Sequence, residues 1–313
     1  MKKVLVLLST YNGDKYLEQQ LQSLQKQKNV NIHIYIRDDG SKDNTLNILE
    51  KYSKCYPNLT VFAESNLGFV GSFTELVHKA FHSEKYDYYA FCDQDDIWFD
   101  NKLIFSINAL ELKDDNKPLM FCSNSDIIDS EGNLTGKKFV KSSNKINKHN
   151  VLLYSFTQGC SMVFNYKALE LFHKFPPVGT YHDRWLTLIC ATFGQIVYSD
   201  KALFGYRIHS NNALGIKVES PMSFIEHMRR RIKYWSTSSL NIHNLRYSEC
   251  CAFIKNFRNS EKEEDLYEVR LVANAQNSFY SRCKLAVNIK FLPGEISIKA
   301  CIKHFTHVIL NKL

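Results

Sequence analysis

The sequence predicts an α/β fold with a doubly wound sheet, and three observations carry that expectation. Short apolar or alternating runs recur along the first part of the chain, namely "KVLVLLS" (3–9), "NIHIYIR" (31–37), "LTVFAE" (59–64) and "YDYYAFC" (86–92). Segments with helical spacing separate them, so strand and helix alternate in a βαβαβαβ rhythm that favours right-handed crossovers. Each run also ends in polar or acidic residues, the chemistry expected where an open sheet presents the carboxyl ends of its strands.

Each element follows from its pattern. The unbroken run at 3–9 suits a strand covered on both faces. From Lys15 the period changes, and Leu17, Leu21 and Leu24 fall on one helical face. The run at 31–37 alternates as a strand. "SKDNTLNILEKY" opens with capping residues and sets Leu46, Leu49 and Tyr52 on one side. A third strand at 59–64 precedes the helix "FTELVHKAF", and the fourth strand ends at Cys92. Further on, "IIDSEGNLTG" (127–136) reads as a hairpin around Glu131, Gly132 and Asn133. "TQGCSMVFN" (157–165) reads as a strand, and "HDRWLTLICATFG" (182–194) as a helix ended by Gly194. Beyond Pro221 strand signals fade and amphipathic helical segments such as "MSFIEHMRRRIKYW" take over, which divides the chain into 1–220 and a mainly helical 221–313.

With 313 residues, 44% apolar, the chain can bury a full α/β core. Its net charge of +8 is uneven. Residues 1–220 hold 25 Lys and Arg against 24 Asp and Glu, whereas 221–313 hold 15 against 8. The basic C-terminal part is either a solvated helical face or a surface for an anionic partner such as membrane lipid. It contains no recognised nucleic-acid module, so nucleic acid is not expected as a partner. The nine cysteines include no C-x-x-C pair and read as reduced core thiols. No apolar run reaches the length of a membrane span and none near Met1 suits a signal peptide, so the expected location is cytoplasmic, with peripheral attachment to the inner membrane face as an option.

The four strand exits are "STYNG" (9–13), "RDDGSKD" (37–43), "SNLGFVGS" (65–72) and "DQDD" (93–96). Alone, the first is a turn, the second a turn or helix cap, and Asp96 in the fourth a cap. Ile97 and Trp98 break any calcium EF-hand pattern. As a set they converge on one crevice. Asp93 and Asp95 leaving a buried strand together suit a hard divalent cation, Mg²⁺ or Mn²⁺, that also takes phosphate oxygens. The pair Asp38 and Asp39 can accept hydrogen bonds from a base or ribose, and Tyr11 can lie against a base. These parts describe a pocket for a nucleotide diphosphate derivative.

"LLSTYNGDKYLEQQLQSLQKQ", "IRDDGSKDNTLNIL", "NLGFVGSF", "YYAFCDQDDIW" and "GCSMVFN" together resemble, in order over roughly residues 1–215, the family 2 glycosyltransferases of GT-A fold, and look most like bacterial rhamnosyltransferase-like enzymes. The resemblance implies inverting transfer of one sugar from a nucleotide diphosphate sugar, dTDP-rhamnose first, to a surface polysaccharide, O-antigen, capsule or lipid-linked glycan. It implies a DXD motif in which Asp93 and Asp95 hold the metal, and a donor site of Thr10, Tyr11, Asn12, Asp38, Asp39 and Asp93. It also implies Asp183 as general base, with a cap or a salt bridge to Arg184 as the alternative. In "GYRIHSNN" (205–212), Arg207 is then a phosphate contact and His209 a metal or phosphate ligand, unless both are structural. Trp98 and Trp185 form an acceptor rim or pack in the core. A UDP-hexose or UDP-N-acetylhexosamine donor, a nucleotidyltransferase, and a non-catalytic glycan- or membrane-binding protein are the rival readings. "STYNGDKY" lacks a glycine-rich phosphate loop, which counts against the nucleotidyltransferase.

Overall fold

Val4, Val6 and Leu8 point to one face of the first strand and Leu5 and Leu7 to the other, and all five are fully buried. A strand apolar on both faces must lie inside a covered sheet. The computed structural model describes residues 1–139, 157–209, 239–258 and 265–275, with five further positions between 277 and 284. Two compact units divide the chain, the described residues up to 209 belonging to the first and those from 239 to the second.

In the first unit, β1 (Lys2–Thr10), β2 (Val30–Asp38), β3 (Leu59–Ala63) and β4 (Tyr88–Cys92) are parallel in the spatial order β3-β2-β1-β4. The crossovers are α1 (Leu17–Gln25), α2 (Thr45–Cys55) and α3 (Gly68–Phe81). Leu17, Leu21 and Leu24 are buried as the spacing predicts. On α2 the buried stripe is Thr45, Ile48, Leu49 and Tyr52, while Leu46 is exposed, a correction to the expected face. Positions 45, 48, 49 and 52 follow the 3.6-residue period, and 46 lies off it.

Beyond β4 the sheet becomes mixed. β5 (Ile97–Trp98) and α4 (Lys102–Leu110) follow, then β6 (Leu119–Ile128), β7 (Leu134–Lys138), β8 (Val163–Asn165), α5 (Tyr166–Lys174), α6 (His182–Phe193) and β9 (Gln195–Arg207). β8 lies antiparallel between β4 and β6, β9 runs parallel to β6, and β5 closes the edge against β9. The hairpin at 127–136 is present as β6 and β7. "TQGCSMVFN" resolves into a 3₁₀ turn, Gly159–Ser161, and a strand of three residues. Gly194 ends α6 as expected. A β-carbon there would lie 1.7 Å from the Pro118 carbonyl oxygen, which accepts the Gln195 N–H, so only glycine permits that approach.

Strand register positions the site. Thr10 pairs with Asp38 and Asp38 with Ala63, whereas Cys92 pairs with Leu8. Residues 93–96 therefore leave the sheet beside the loop that follows Thr10. In the second unit α7 (Ser239–Phe257) and α8 (Tyr267–Asn274) pack together, burying Tyr247, Phe253 and Phe257 on one and Val269 and Val272 on the other. The Arg229, Arg230 and Arg231 cluster and residues 210–212 lie outside the described residues.

Candidate active site

The loops after β1, β2 and β4 are tied together by side chains. Gln94 Oε1 accepts from Thr10 Oγ1 at 2.6 Å and from Tyr11 N at 2.8 Å, and Gln94 Nε2 donates to Tyr11 O at 3.1 Å. Gly13 makes room for it, since a β-carbon there would meet Gln94 Oε1 at 2.2 Å. Asn12 takes a positive φ of 47° and accepts the Lys42 N–H at 2.8 Å, while its own N–H donates to Ser41 Oγ at 2.9 Å. Tyr11, at the crest of this loop, is 47% exposed and free to meet a planar ligand.

The two aspartates after β2 differ. Asp38 accepts from Gly40 N, Ser41 N and Ser41 Oγ, so its carboxylate builds the turn, correcting its expected part in holding a base. Asp39 is anchored from below. Its Oδ1 accepts from the Arg37 guanidinium and from Leu67 N, and its backbone N–H donates to Thr10 O at 2.8 Å. Arg37, 1% exposed, also donates to Glu64 Oε2 at 3.0 Å and to Ser65 O at 2.7 Å, and Lys79 completes the set at 2.7 Å from Glu64 Oε1. Removing one member of so buried a network strands the opposite charge. Asp39 Oδ2 makes no hydrogen bond among the described residues, which leaves an acceptor to offer.

Four carboxyl groups gather at the exit of β4. Burial, then the charges of Asp95 and Asp183, push the Asp93 carboxyl up to about 7. Asp183 stands in the first turn of α6, its Oδ1 accepting the Arg184 N–H at 2.7 Å. The sheet and α6 thus bring Asp183 within electrostatic reach of Asp93, ninety residues earlier in the chain. Asp96 is fully buried rather than a helix cap. Its Oδ1 accepts Arg207 N at 3.1 Å, and its Oδ2 has no hydrogen-bond partner among the described residues. The Cys160 sulfur and oxygens of Asp93 and Asp96 lie within 4.8 Å of one another. Burial holds that thiol well above its usual range, and the two carboxyl groups beside it offer hard oxygen donors. An unpartnered buried carboxylate oxygen and mutually repelling acids fit a hard divalent cation. Of the two ligands that the sequence suggests, Asp93 belongs to this group and Asp95 does not, while Asp96, which reads as a cap, does. His209 Nε2 lies 2.9 Å from Asp95 Oδ2, on the same rim.

Arg207 is not available to a phosphate, which corrects the expected contact. It is fully buried, with Nε donating to Asp95 O at 2.7 Å, Nη1 to Ser130 O at 2.8 Å and Nη2 to Gln19 Oε1 at 2.6 Å. Its guanidinium also lies 4.6 Å from the Tyr16 ring centroid. It clamps the acidic loop, the β6–β7 hairpin and α1 to the end of β9. Trp98 and Trp185 are likewise core residues at 1% and 0% exposure, not an acceptor rim. Trp185 Nε1 donates to Phe175 O at 2.7 Å, which satisfies the indole inside.

Four structural residues escaped the sequence reading. Gln94 reads as the spacer of D-x-D, Arg37 as the last residue of a strand and Cys160 as a core thiol. His182 precedes Asp183 and stacks on Phe73 at 3.9 Å, with both ring nitrogens lacking partners among the described residues. Burial pulls its pKa down to about 3. Only the side-chain partners identify such residues, and local pattern carries no signal for them.

The family model described as "Glycosyl transferase family 2" matches residues 5–172. A curated relative, the dTDP-rhamnosyl transferase RfbG of Shigella flexneri, is 33% identical over 223 residues, 67% of this chain and 74% of its own. Among solved structures, S. aureus TarS 1–349 in complex with UDP-GlcNAc superposes with a TM-score of 0.55 at 17% identity, covering 99% of this chain and 91% of that one. The mannosyltransferase PcManGT from Pyrobaculum calidifontis, in complex with GDP-Man and Mn²⁺, gives 0.54 at 16% identity, covering 99% and 80%. At such identities these two likenesses concern the fold.

Proposed function

The chain belongs to glycosyl transferase family 2 and is a nucleotide-sugar glycosyltransferase; from that premise we propose that it transfers one sugar, with inversion, from dTDP-rhamnose to a bacterial surface glycan or its lipid-linked precursor. The observation that supports the mechanism is that the charge of Asp183 acts on the buried Asp93 carboxyl at the exit of β4. The relative from Shigella flexneri supports the choice of donor.

In this reading Asp39 Oδ2 accepts a hydrogen bond from the base or ribose of the donor, and Arg37 with Leu67 N keeps that oxygen aimed. Tyr11 covers the base from the loop that Gln94 fastens. Asp93 and Asp95, with His209 at the edge, would hold a divalent cation of the Mg²⁺ or Mn²⁺ kind, which supplies charge neutralisation for a leaving diphosphate. Asp183 takes the proton of the acceptor hydroxyl as that oxygen attacks the anomeric carbon from the side opposite the diphosphate. The bond from that carbon to the diphosphate oxygen breaks, and the configuration inverts. The N-terminal end of a helix favours the charged form of a carboxylate in its first turn, which suits Asp183 to accept a proton.

The decisive experiment uses purified full-length chain, dTDP-rhamnose and a lipid-linked acceptor, with Asp183→Asn beside the native enzyme. General-base removal lowers kcat by about 10²–10⁴, while donor binding, followed by thermal shift, stays within about twofold. Transfer that persists within about tenfold in the variant would overturn the role of Asp183. Faster turnover with UDP-hexoses or UDP-N-acetylhexosamines than with dTDP-rhamnose would move the donor to that class.

A further inference from the structure

Away from the crevice, three histidines converge on one another. His78 lies in the last turn of α3, His82 caps the same helix, and His173 lies in the last turn of α5. One ring nitrogen from each falls within 4.8 Å of the other two. The ring centroids are 4.6 Å apart for His78 and His82, 5.2 Å for His78 and His173, and 5.3 Å for His82 and His173. Phe81 stacks on His173 at 4.0 Å with an interplanar angle of 14°, which fixes the orientation of that ring. None of the three imidazoles pairs with a carboxylate or donates a side-chain hydrogen bond among the described residues.

We propose that His78, His82 and His173 form a tris-imidazole site for a transition-metal ion of the Zn²⁺ class, joining α3 to α5.

Three considerations support it. Histidines four apart on a helix present both rings on one face, a spacing suited to chelation. The backbone keeps that geometry to the helix end, where His82 N donates to His78 O at 3.3 Å. Two nitrogens bound tetrahedrally to zinc stand about 3.3 Å apart, a gap that side-chain rotation of the exposed His78 and His82 rings can close without backbone movement. Burial first, then the charges of His78 and His82, lowers the pKa of His173, which keeps its nitrogen available as a ligand near neutrality.

Ligand chemistry separates this site from the acidic one. Three imidazoles without a carboxylate favour zinc, copper or nickel over magnesium or manganese. Position separates them too. Phe69, at the start of α3, packs on His182 beside Asp183, with ring centroids 5.9 Å apart. His78 and His82 follow roughly 14 and 20 Å further along the helix axis at 1.5 Å per residue. An ion there takes no part in transfer. It cross-links α3, which packs on β1 and β2, to α5, which packs on β4 and β8, and so stabilises the sheet that carries Asp93.

The test uses the tag-free, full-length chain stripped of metal, titrated with Zn²⁺ by calorimetry and with Co²⁺ followed by visible absorption. The expected result is one Zn²⁺ per chain at micromolar affinity or tighter, with tetrahedral Co²⁺ bands, retained in Asp95→Asn. His173→Ala and His82→Asn should each lower that affinity more than about tenfold, while circular dichroism and unfolding in EDTA match the metal-free native chain. Binding unchanged in both variants, or weaker than about 1 mM in the native chain, would overturn the site. Binding lost in Asp95→Asn but kept in both histidine variants would assign the ion to the acidic cluster and overturn it equally.

Discussion

Gln94, between Asp93 and Asp95, directs its side chain entirely to the loop after β1. Gln94→Ala should therefore raise the KM for the donor by about tenfold with a small fall in kcat, because it loosens Tyr11 rather than the ionised groups. An unchanged KM would show that the loop holds without it. His182 makes a second prediction at this scale. Its folded pKa of about 3 lies below the ordinary histidine value, so the unfolded chain binds a proton that the native chain refuses. Stability is then full above about pH 6.5 and declines as pH falls toward the folded value, by at most about 1.4 kcal/mol per unit. His182→Leu removes that titration, and urea unfolding between pH 7 and 5 should show a shallower decline than in the native protein. Equal slopes would mean that other groups set the acid sensitivity.

Arg207 acts between elements, joining the end of β9 to the acidic loop after β4, to the hairpin β6–β7 and to α1. Because it is fully buried and its donors meet three separate segments, Arg207→Met leaves the Asp95, Ser130 and Gln19 oxygens without their donor and should destabilise the chain by about 3 kcal/mol or more, measured by denaturant unfolding. Arg207→Lys should recover little, since an ammonium cannot fork to Asp95 O, Ser130 O and Gln19 together. A normal unfolding midpoint combined with a raised donor KM would restore the phosphate contact that the sequence suggests. The elements themselves were legible from pattern where contacts are local. The faces of α1 and β1 follow from apolar spacing, and so does the stop at Gly194. Leu46 lies off the buried face of α2, and in sequence a leucine off the stripe looks the same as one on it. The 3₁₀ turn at Gly159–Ser161 was invisible because no period announces three residues.

At the scale of the whole molecule, the basic surplus lies in 221–313 while 1–220 is nearly balanced. Among the described residues no helix is long and apolar enough to cross a membrane. Attachment to an anionic bilayer would therefore rest on basic side chains, each worth about 1 kcal/mol at modest salt. Flotation with vesicles containing anionic lipid should retain the chain at low ionic strength and release it as salt rises. Equal recovery with neutral vesicles, or none with either, would remove the membrane from the scheme.

By itself the sequence determined the alternation of strand and helix, the acidic and polar strand exits, and the family, because each is written in residues close together in the chain. Only the tertiary structure decided which exit residues keep an open acceptor and which hold the frame. Asp39 keeps an open oxygen while Asp38 closes its own turn, and Arg207 and the two tryptophans turn inward, because those fates depend on partners up to 188 residues away. Pairing at such separation is set by the register of β1, β4, β6 and β9 and by what their packing buries. No local pattern encodes that geometry.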